Sequence, residues 1–128
     1  MTKFVVDTSA WIEYLEESEK GRKFSKIIEN GENELFTSCS SVAEIITKFL
    51  KSSKETSIAL DCIHSLSNVI DADEEISILS GQIHFEEKKK NKDFGMLDAF
   101  VAATAKTKSA KILTSDNNFK NFKEAVIV

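Results

Sequence analysis

The chain contains no proline and only four glycines among its 128 residues. Stretches rich in these residues are typical of linkers and low-complexity segments, so no internal domain boundary is indicated. A length of 128 residues is typical of one domain. It is also sufficient to bury a core without disulfides or structural metals. The sequence therefore predicts a single domain over residues 1–128.

Sulfur and imidazole ligands are equally scarce. Cys39 and Cys62 lack CxxC spacing and are too few for a disulfide framework, so we expect two free thiols. His64 and His84 lie far apart along the chain and have no ligand cluster around them. Neither pair indicates a zinc site, and we treat both histidines as ordinary helix residues.

Long apolar runs and an excess of positive charge are also missing. No run approaches the roughly 20 residues of a membrane-spanning helix, and residues 1–7 lack a signal-peptide pattern. We therefore expect a soluble cytoplasmic protein. A net charge of −4 is unlike that of a general nucleic-acid binder. It is compatible with an enzyme that meets nucleic acid through bound metal ions, because those cations reverse the local charge.

Short apolar runs alternate with amphipathic stretches along the whole chain. Strands are predicted at 3–6, 34–38, 68–70, 111–114 and 125–128, and helices from about residue 10 and at 20–29, 42–51, 55–66, 73–90 and 96–106. Thr8 or Ser9 is predicted to cap the first helix, and Ser40 or Ser41 the third. Such alternation predicts a parallel sheet with helices on both faces, with its functional site at the carboxyl ends of the strands.

Two aspartates follow predicted strands directly. Asp7 ends the run Lys3 to Val6, and Asp116 follows the run that ends at Thr114. Each could be a simple turn or capping acid. However, strands ending at one edge of a parallel sheet would bring both carboxylates together. This proximity favours a functional role for both aspartates.

Asp98 lies in the sequence MLDAFVAATAK, a helix whose apolar side chains cover nearly its whole circumference. A helix that is apolar all round is typically buried. A carboxylate there costs several kcal/mol unless it is paired or bound to a metal. The alternative is a first-turn acid that stabilises the helix dipole.

Glu44 is less distinctive. It lies roughly opposite the helix face formed by Val42, Ile45 and Phe49, which by itself indicates a solvated surface acid. Only its place in the first turn after the second strand brings it near the predicted site. Carboxylates and hydroxyls without histidine or cysteine ligands suit a hard cation such as Mg²⁺ or Mn²⁺, which commonly binds substrate phosphates.

These residues resemble the motifs of the PIN-domain family, and the resemblance runs from residue 5 to residue 119. VVDTSAW resembles the first motif, with Asp7 as its acid and Ser9 as its hydroxyl. SVAEI resembles the second through Glu44, and LDAFVAATA the third through Asp98. ILTSDNNF resembles the fourth, with Thr114 and Asp116 in matching places and Phe119 closing it.

The resemblance implies a Rossmann-like three-layer α/β/α fold with a central parallel sheet. It also implies Mg²⁺- or Mn²⁺-dependent cleavage of RNA by an activated water, leaving a 5′-phosphate and a 3′-hydroxyl. The four acids would be catalytic and would bind the metal. Small members of the family are similar to VapC-like toxins of type II toxin–antitoxin systems, which implies a cognate antitoxin and a homodimer.

One position departs from the family pattern. Many members carry a further aspartate two residues after the fourth acid, where this chain has Asn118. An amide oxygen can bind a cation but adds no charge, so a second metal is expected to bind weakly or only with substrate. Asp93 could support the metal ligands from outside the site, but its position favours an ordinary loop acid.

Other interpretations remain open at this point. The protein could be an RNase of RNA processing or decay without a toxin role, or a degenerate PIN fold that only binds. A phosphatase of the haloacid-dehalogenase type fits poorly because residue 9 is not aspartate. A nucleotide-binding Rossmann enzyme fits poorly because no glycine-rich loop follows the first strand.

The basic run 88–92 indicates a solvated helix end more than an RNA contact. Trp11 and Tyr14 could belong to the core or to a partner surface.

Overall fold

Strands and helices alternate from one end of the chain to the other in the computed structural model, which describes all 128 residues. The strands are β1 Lys3–Val6, β2 Glu34–Ser38, β3 Asn68–Ile70, β4 Lys111–Thr114 and β5 Ala125–Ile127. The helices are α1 Thr8–Leu15, α2 Glu19–Ile28, α3 Cys39–Lys51, α4 Thr56–Leu66, α5 Glu74–Lys90 and α6 Met96–Lys108. A 3₁₀ turn at Asn117–Phe119 precedes β5.

The five strands form one parallel sheet in the order β3-β2-β1-β4-β5. The chain first builds outward from β1 to one side and then returns to build on the other side. The order therefore reverses between β1 and β4, where open α/β sheets carry their sites. The predicted α/β fold with a central parallel sheet is confirmed.

Two separate cores cover the two faces of the sheet, which gives the molecule its three layers. Alternate residues of one strand serve opposite cores: Val5 packs with residues of α5 and α6, whereas Phe4 and Val6 pack with residues of α1 to α4. Buried strands of this kind are apolar on both faces, as the sequence of β1 predicts. None of the helices combines the length and the apolarity needed to cross a bilayer.

The helix starts differ from the predicted ones. α1 begins at Thr8, and the residue before it, Asp7, has extended dihedral angles and makes no side-chain cap. α3 begins at Cys39 and is capped by Ser38, whose hydroxyl accepts from the Ser40 N–H at 3.3 Å. The predicted caps at Thr8 or Ser9 and at Ser40 or Ser41 are therefore wrong. At the first helix, both hydroxyls bind carboxylates of the predicted site.

Trp11 belongs to the core. Its side chain is fully buried, its indole N–H donates to Thr37 Oγ1 at 3.0 Å, and its ring meets Tyr14 edge-on. A buried indole needs a partner for its N–H, and Thr37 on β2 supplies one. Trp11 thus fixes α1 against the sheet and offers no surface to a partner.

Gly21 marks the closest approach of α1 and α2. A Cβ at this position would overlap the carbonyl group of Glu13. We therefore expect Gly21→Ala to destabilise the protein by about 1–3 kcal/mol, the usual cost of overpacking. Gly81→Ala is the matched control, since a Cβ there meets nothing within 4 Å and should stabilise α5 by about 0.5–1 kcal/mol. Urea denaturation measures both; equal effects would contradict the close packing.

Candidate active site

The first element of the site is the junction of β1 and β4. Val6 lies opposite Leu113 in the sheet, and the Asp7 N–H donates to the Leu113 carbonyl at 2.9 Å. This bond extends the strand pairing by one residue and sets the position of Asp7. The side chain of Asp7 is therefore held at the carboxyl edge, where the strand order reverses.

Two hydroxyls hold the carboxylate of Asp7. Its Oδ2 accepts from Ser9 Oγ and from Thr114 Oγ1, each at 2.9 Å. The two hydroxyl oxygens lie 3.1 Å apart, and the Ser115 N–H donates to Ser9 Oγ at 3.0 Å. Residues of both the first and the fourth sequence motifs therefore meet around a single carboxylate oxygen.

Burial changes the acidity of this carboxylate. Asp7 is only 4% exposed, and desolvation, together with the nearby charge of Asp98, raises its pKa from 3.8 to about 6. The hydrogen bonds from Ser9 and Thr114 oppose the rise. Keeping Asp7 ionised at neutral pH is therefore costly for the protein alone, and a bound cation would remove that cost.

Asp116 and Asn118 continue the network at the end of β4. The Asp116 N–H donates to Thr114 Oγ1 at 2.9 Å, and Asp116 Oδ1 accepts from the Asn118 N–H at 2.9 Å. One oxygen of Asp116 thus caps the 3₁₀ turn, as the turn interpretation predicts. The same residue lies two positions from Thr114, within the hydroxyl network of Asp7.

Asp98 reaches the same edge from the start of α6. Its Oδ2 accepts from the Gly95 N–H at 2.9 Å and from Asn118 Nδ2 at 3.2 Å. Desolvation raises the pKa of Asp98, and the charge of Asp116 raises it further. A half-buried acid beside the charges of Asp7 and Asp116 differs from an ordinary helix-start residue.

The surroundings of Asp98 partly correct the sequence prediction. α6 is buried at Ala99 and over residues 101–105, but its first turn is not, because Met96 and Leu97 are 45% and 40% exposed. Asp98 is consequently half-buried rather than enclosed. Asp98 also acts as the first-turn acid of the alternative interpretation, because its Oδ2 accepts from the Gly95 N–H at the N-cap of α6.

Glu44 approaches from the side of α1. It is half-buried, and its Oε1 accepts from Thr8 Oγ1 at 2.8 Å. Glu44 is therefore not the solvated surface acid that its helix face predicts. The sequence predicts Thr8 only as a helix cap, whereas the structure places its hydroxyl on a carboxylate of the site. Its position between Asp7 and Ser9 was the available signal.

An aromatic cluster supports the loop and the turn that carry this network. Phe94 and Phe119 are fully buried and meet edge-on with ring centroids 6.1 Å apart. Phe122 stacks on Phe94 at 5.8 Å. The hydrophobic contacts join the loop before α6 to the 3₁₀ turn. They therefore fix the backbone from which Asp98 and Asn118 project.

The donor chemistry fits a hard divalent cation. In each of Asp7, Asp98 and Asp116, one carboxylate oxygen makes the hydrogen bonds described above, and the other accepts none from a side chain. The Thr8 backbone also bonds to the Asp7 carboxylate. Oxygen ligands of this kind suit Mg²⁺ or Mn²⁺. No three acidic, histidine or cysteine side chains lie close enough to form a ready ligand set. The acids are linked instead through hydroxyl and amide groups.

Other features lie apart from this network. A cavity of about 530 Å³ is lined by residues of α1 and α2 such as Tyr14 and Arg22. In the basic run at the end of α5, Lys88 donates to a backbone carbonyl, and Lys89 and Lys90 pair with glutamates of the same helix. The partners of these lysines thus all belong to α5 or to the residues that directly follow it.

Solved structures share this fold. A toxin–antitoxin complex from Klebsiella pneumoniae has a TM-score of 0.75 at 20% identity, with 95% of this chain and 94% of that chain covered. VapC20 from Mycobacterium tuberculosis, described as a sarcin–ricin loop cleaving toxin, has a TM-score of 0.75 at 13% identity, with 94% and 95% covered. DNA-bound VapBC from Salmonella typhimurium has a TM-score of 0.73 at 24% identity, with 100% and 98% covered.

Sequence comparison gives the family directly. No curated protein matches the chain. The profile of the PIN domain matches residues 4–125, which include all four motifs and nearly the whole chain. The arrangement of Asp7, Glu44, Asp98 and Asp116 at one sheet edge lies within that match. The chain belongs to the PIN domain family.

Proposed function

We propose that the protein is a Mg²⁺- or Mn²⁺-dependent ribonuclease built from one PIN domain over residues 1–128. PIN domains are nucleases, and the chain belongs to that family. The observation that carries the proposal is a hydrogen-bonded network that joins Asp7, Asp98 and Asp116. It lies where the strand order of the sheet reverses.

Each acid has a distinct role in this proposal. Asp7, Asp98 and Asp116 bind the cation through the oxygens that no side chain occupies. Glu44 is the fourth acid and closes the site from the α1 side. Ser9 and Thr114 are supporting residues, because their hydroxyls fix the direction of the Asp7 carboxylate.

The cation would polarise the phosphodiester and lower the pKa of a water molecule, which then attacks the phosphorus. The protein contributes orientation and charge. Burial, and to a smaller extent the charge of a neighbouring carboxylate, raises the pKa values of Asp7 and Asp98, and the fold supplies no cation of its own to compensate. Cleavage by water would leave a 5′-phosphate and a 3′-hydroxyl on the RNA.

The biological role that we propose is that of a cytoplasmic toxin in a toxin–antitoxin pair. The support is the likeness in fold to proteins described as parts of toxin–antitoxin complexes, from Klebsiella pneumoniae and from Rickettsia felis. The proposal includes a cognate antitoxin as partner, a homodimer as the assembly, and RNA as the substrate.

Cleavage of RNA with and without Mn²⁺ tests the enzymatic proposal. Wild-type protein should cleave in Mn²⁺ and stop in EDTA, and Asp98→Asn should be at least about 10²-fold slower because a ligand charge is lost. Asp61→Asn is the matched control, since this acid is exposed on α4. Full activity in Asp98→Asn with a wild-type circular dichroism spectrum would refute the assigned site.

Expression in a bacterial host tests the toxin role. Induction of the wild-type protein should arrest growth, Asp98→Asn should not, and co-expression of an adjacent antitoxin gene should restore growth. Active enzyme that leaves growth unaffected would favour an RNase of RNA processing or decay instead.

A further inference from the structure

Every polar atom of the Asn118 side chain is already engaged. Its Nδ2 donates to Asp98 Oδ2 at 3.2 Å and to the Asp93 carbonyl at 3.1 Å, and its Oδ1 accepts from Asn91 Nδ2 at 3.2 Å. Its orientation is fixed by these partners, because a reversed amide would place its carbonyl oxygen against two other acceptors. The oxygen that could bind a cation therefore accepts from Asn91, and the NH₂ group is the end of the amide that is directed at Asp98.

Asn91 is well placed to hold this arrangement. It follows the last residue of α5, and its Oδ1 accepts from the Asp93 N–H at 3.0 Å, which closes a tight turn. The other end of the same amide donates to Asn118. A single side chain thus shapes the loop before α6 and connects that loop to the 3₁₀ turn.

We propose that Asn91 is a positioning residue of the site. The pair Asn91–Asn118, called here the amide clasp, turns the NH₂ group of Asn118 toward Asp98 and keeps its oxygen from the cation. Asn118 then acts as a hydrogen-bond brace and not as a ligand, and the site takes a single divalent cation. This inference rests on the proposed function, in which Asp98 binds that cation.

Charge supports the single cation. An aspartate at position 118 would set a carboxylate against Asp98 Oδ2, at the place where the neutral amide now donates. Two carboxylates so close repel each other unless a cation lies between them. The amide instead gains a hydrogen bond to the ionised Asp98 and adds no charge that would attract a second ion.

The number of bound ions tests the role of Asn118. Calorimetric titration with Mn²⁺ should give one ion per wild-type chain and two per Asn118→Asp chain. Asn117→Asp is the matched control, because it adds the same charge on an exposed neighbour that makes no side-chain hydrogen bond, and it should bind one ion. Two ions on the wild-type chain, or one on Asn118→Asp, would contradict the role of Asn118 as a hydrogen-bond donor to Asp98 that is not a cation ligand.

Asn91→Asp tests the clasp itself. The substitution keeps Oδ1 for the turn to Asp93 but sets an oxygen against Asn118 Oδ1. Affinity for Mn²⁺ should fall about 10-fold, the lower end for residues that support metal ligands. In metal-free protein, the NMR resonances of the Gly95 N–H and of the Asn118 NH₂ group should move. Asn121→Ala is the control, because Asn121 is exposed, and it should leave affinity and resonances unchanged.

The two proposals fail in different ways. A wild-type chain that binds no Mn²⁺ overturns the single-cation site together with the proposed function. Unchanged Gly95 and Asn118 resonances in Asn91→Asp overturn the positioning role alone, whatever the metal binding shows. Moved resonances with wild-type Mn²⁺ affinity overturn the link between the clasp and the cation.

Discussion

Asp7→Asn is expected to cleave RNA at least about 10³-fold more slowly than wild type and yet to be the more stable protein without divalent cations. A cation at the reacting phosphate contributes several kcal/mol of transition-state stabilisation, and each 1.4 kcal/mol lost is about tenfold in rate. Removing the charge of Asp7 removes the most buried anionic ligand proposed for that cation.

The gain in stability has a separate cause. Burial raises the pKa of Asp7 to about 6, so ionisation at pH 7 costs the folded state about 3 kcal/mol. Asparagine avoids this cost but loses part of the bonding to Ser9 and Thr114, about 1 kcal/mol per hydrogen bond. The net gain should be about 1–2 kcal/mol, or roughly 5 °C in Tm.

Thermal denaturation in EDTA at pH 7 measures this gain, and the cleavage assay measures the loss. Asp61→Asn serves as the control in both, since its side chain is exposed on α4. A destabilised Asp7→Asn protein would show that the carboxylate is a structural residue and would contradict the account of its pKa.

The second large effect concerns pH. Asp7 holds its proton more tightly when folded, with a pKa of about 6 against 3.8, so the folded state binds more protons between these values. The stability that Asp7 contributes is present below pH 3.8 and is lost as pH rises to about 6. Metal-free wild-type protein should lose about 3 kcal/mol from this group over that window.

Denaturant unfolding at several pH values isolates this contribution. Relative to Asp7→Asn, wild type should lose about 3 kcal/mol of unfolding free energy between pH 4 and pH 6 and then level off, so that wild type is the more stable protein at pH 4 and Asp7→Asn the more stable at pH 7. The nearby Asp98, whose pKa is also raised, remains in both proteins. Saturating Mn²⁺ should stabilise wild type but not Asp7→Asn and so reverse the difference at pH 7, because ligand binding stabilises the ionised native form. A difference independent of pH would contradict the burial argument.

The elements of the fold could be predicted because their signals are local. The apolar runs before Asp7 and Asp116 are short and bounded by turn residues, and both strands lie where they were predicted. Their meeting at one edge follows from the parallel sheet. The neighbouring positions of these two acids could therefore be predicted from the sequence and general rules of topology.

The contacts between elements could not be predicted in the same way. Glu44 faces away from the apolar side of α3, and only the packing of α1 beside α3 supplies its partner, Thr8. The start of α1 differs from the predicted one for a related reason, since the hydroxyl of Ser9 donates to the buried carboxylate of Asp7 and does not cap the helix. Asn91 carries no sequence signal, because its partner Asn118 is distant along the chain.

Calorimetric titration of Mn²⁺ into wild-type and Asp7→Asn protein tests the central claim, that the acids around Asp7 form a cation site, without knowledge of the RNA target. Wild type should bind Mn²⁺ at neutral pH, more weakly as pH falls below 6, and Asp7→Asn should bind none. Equal binding by the two proteins, or no binding by the wild type, would contradict the claim.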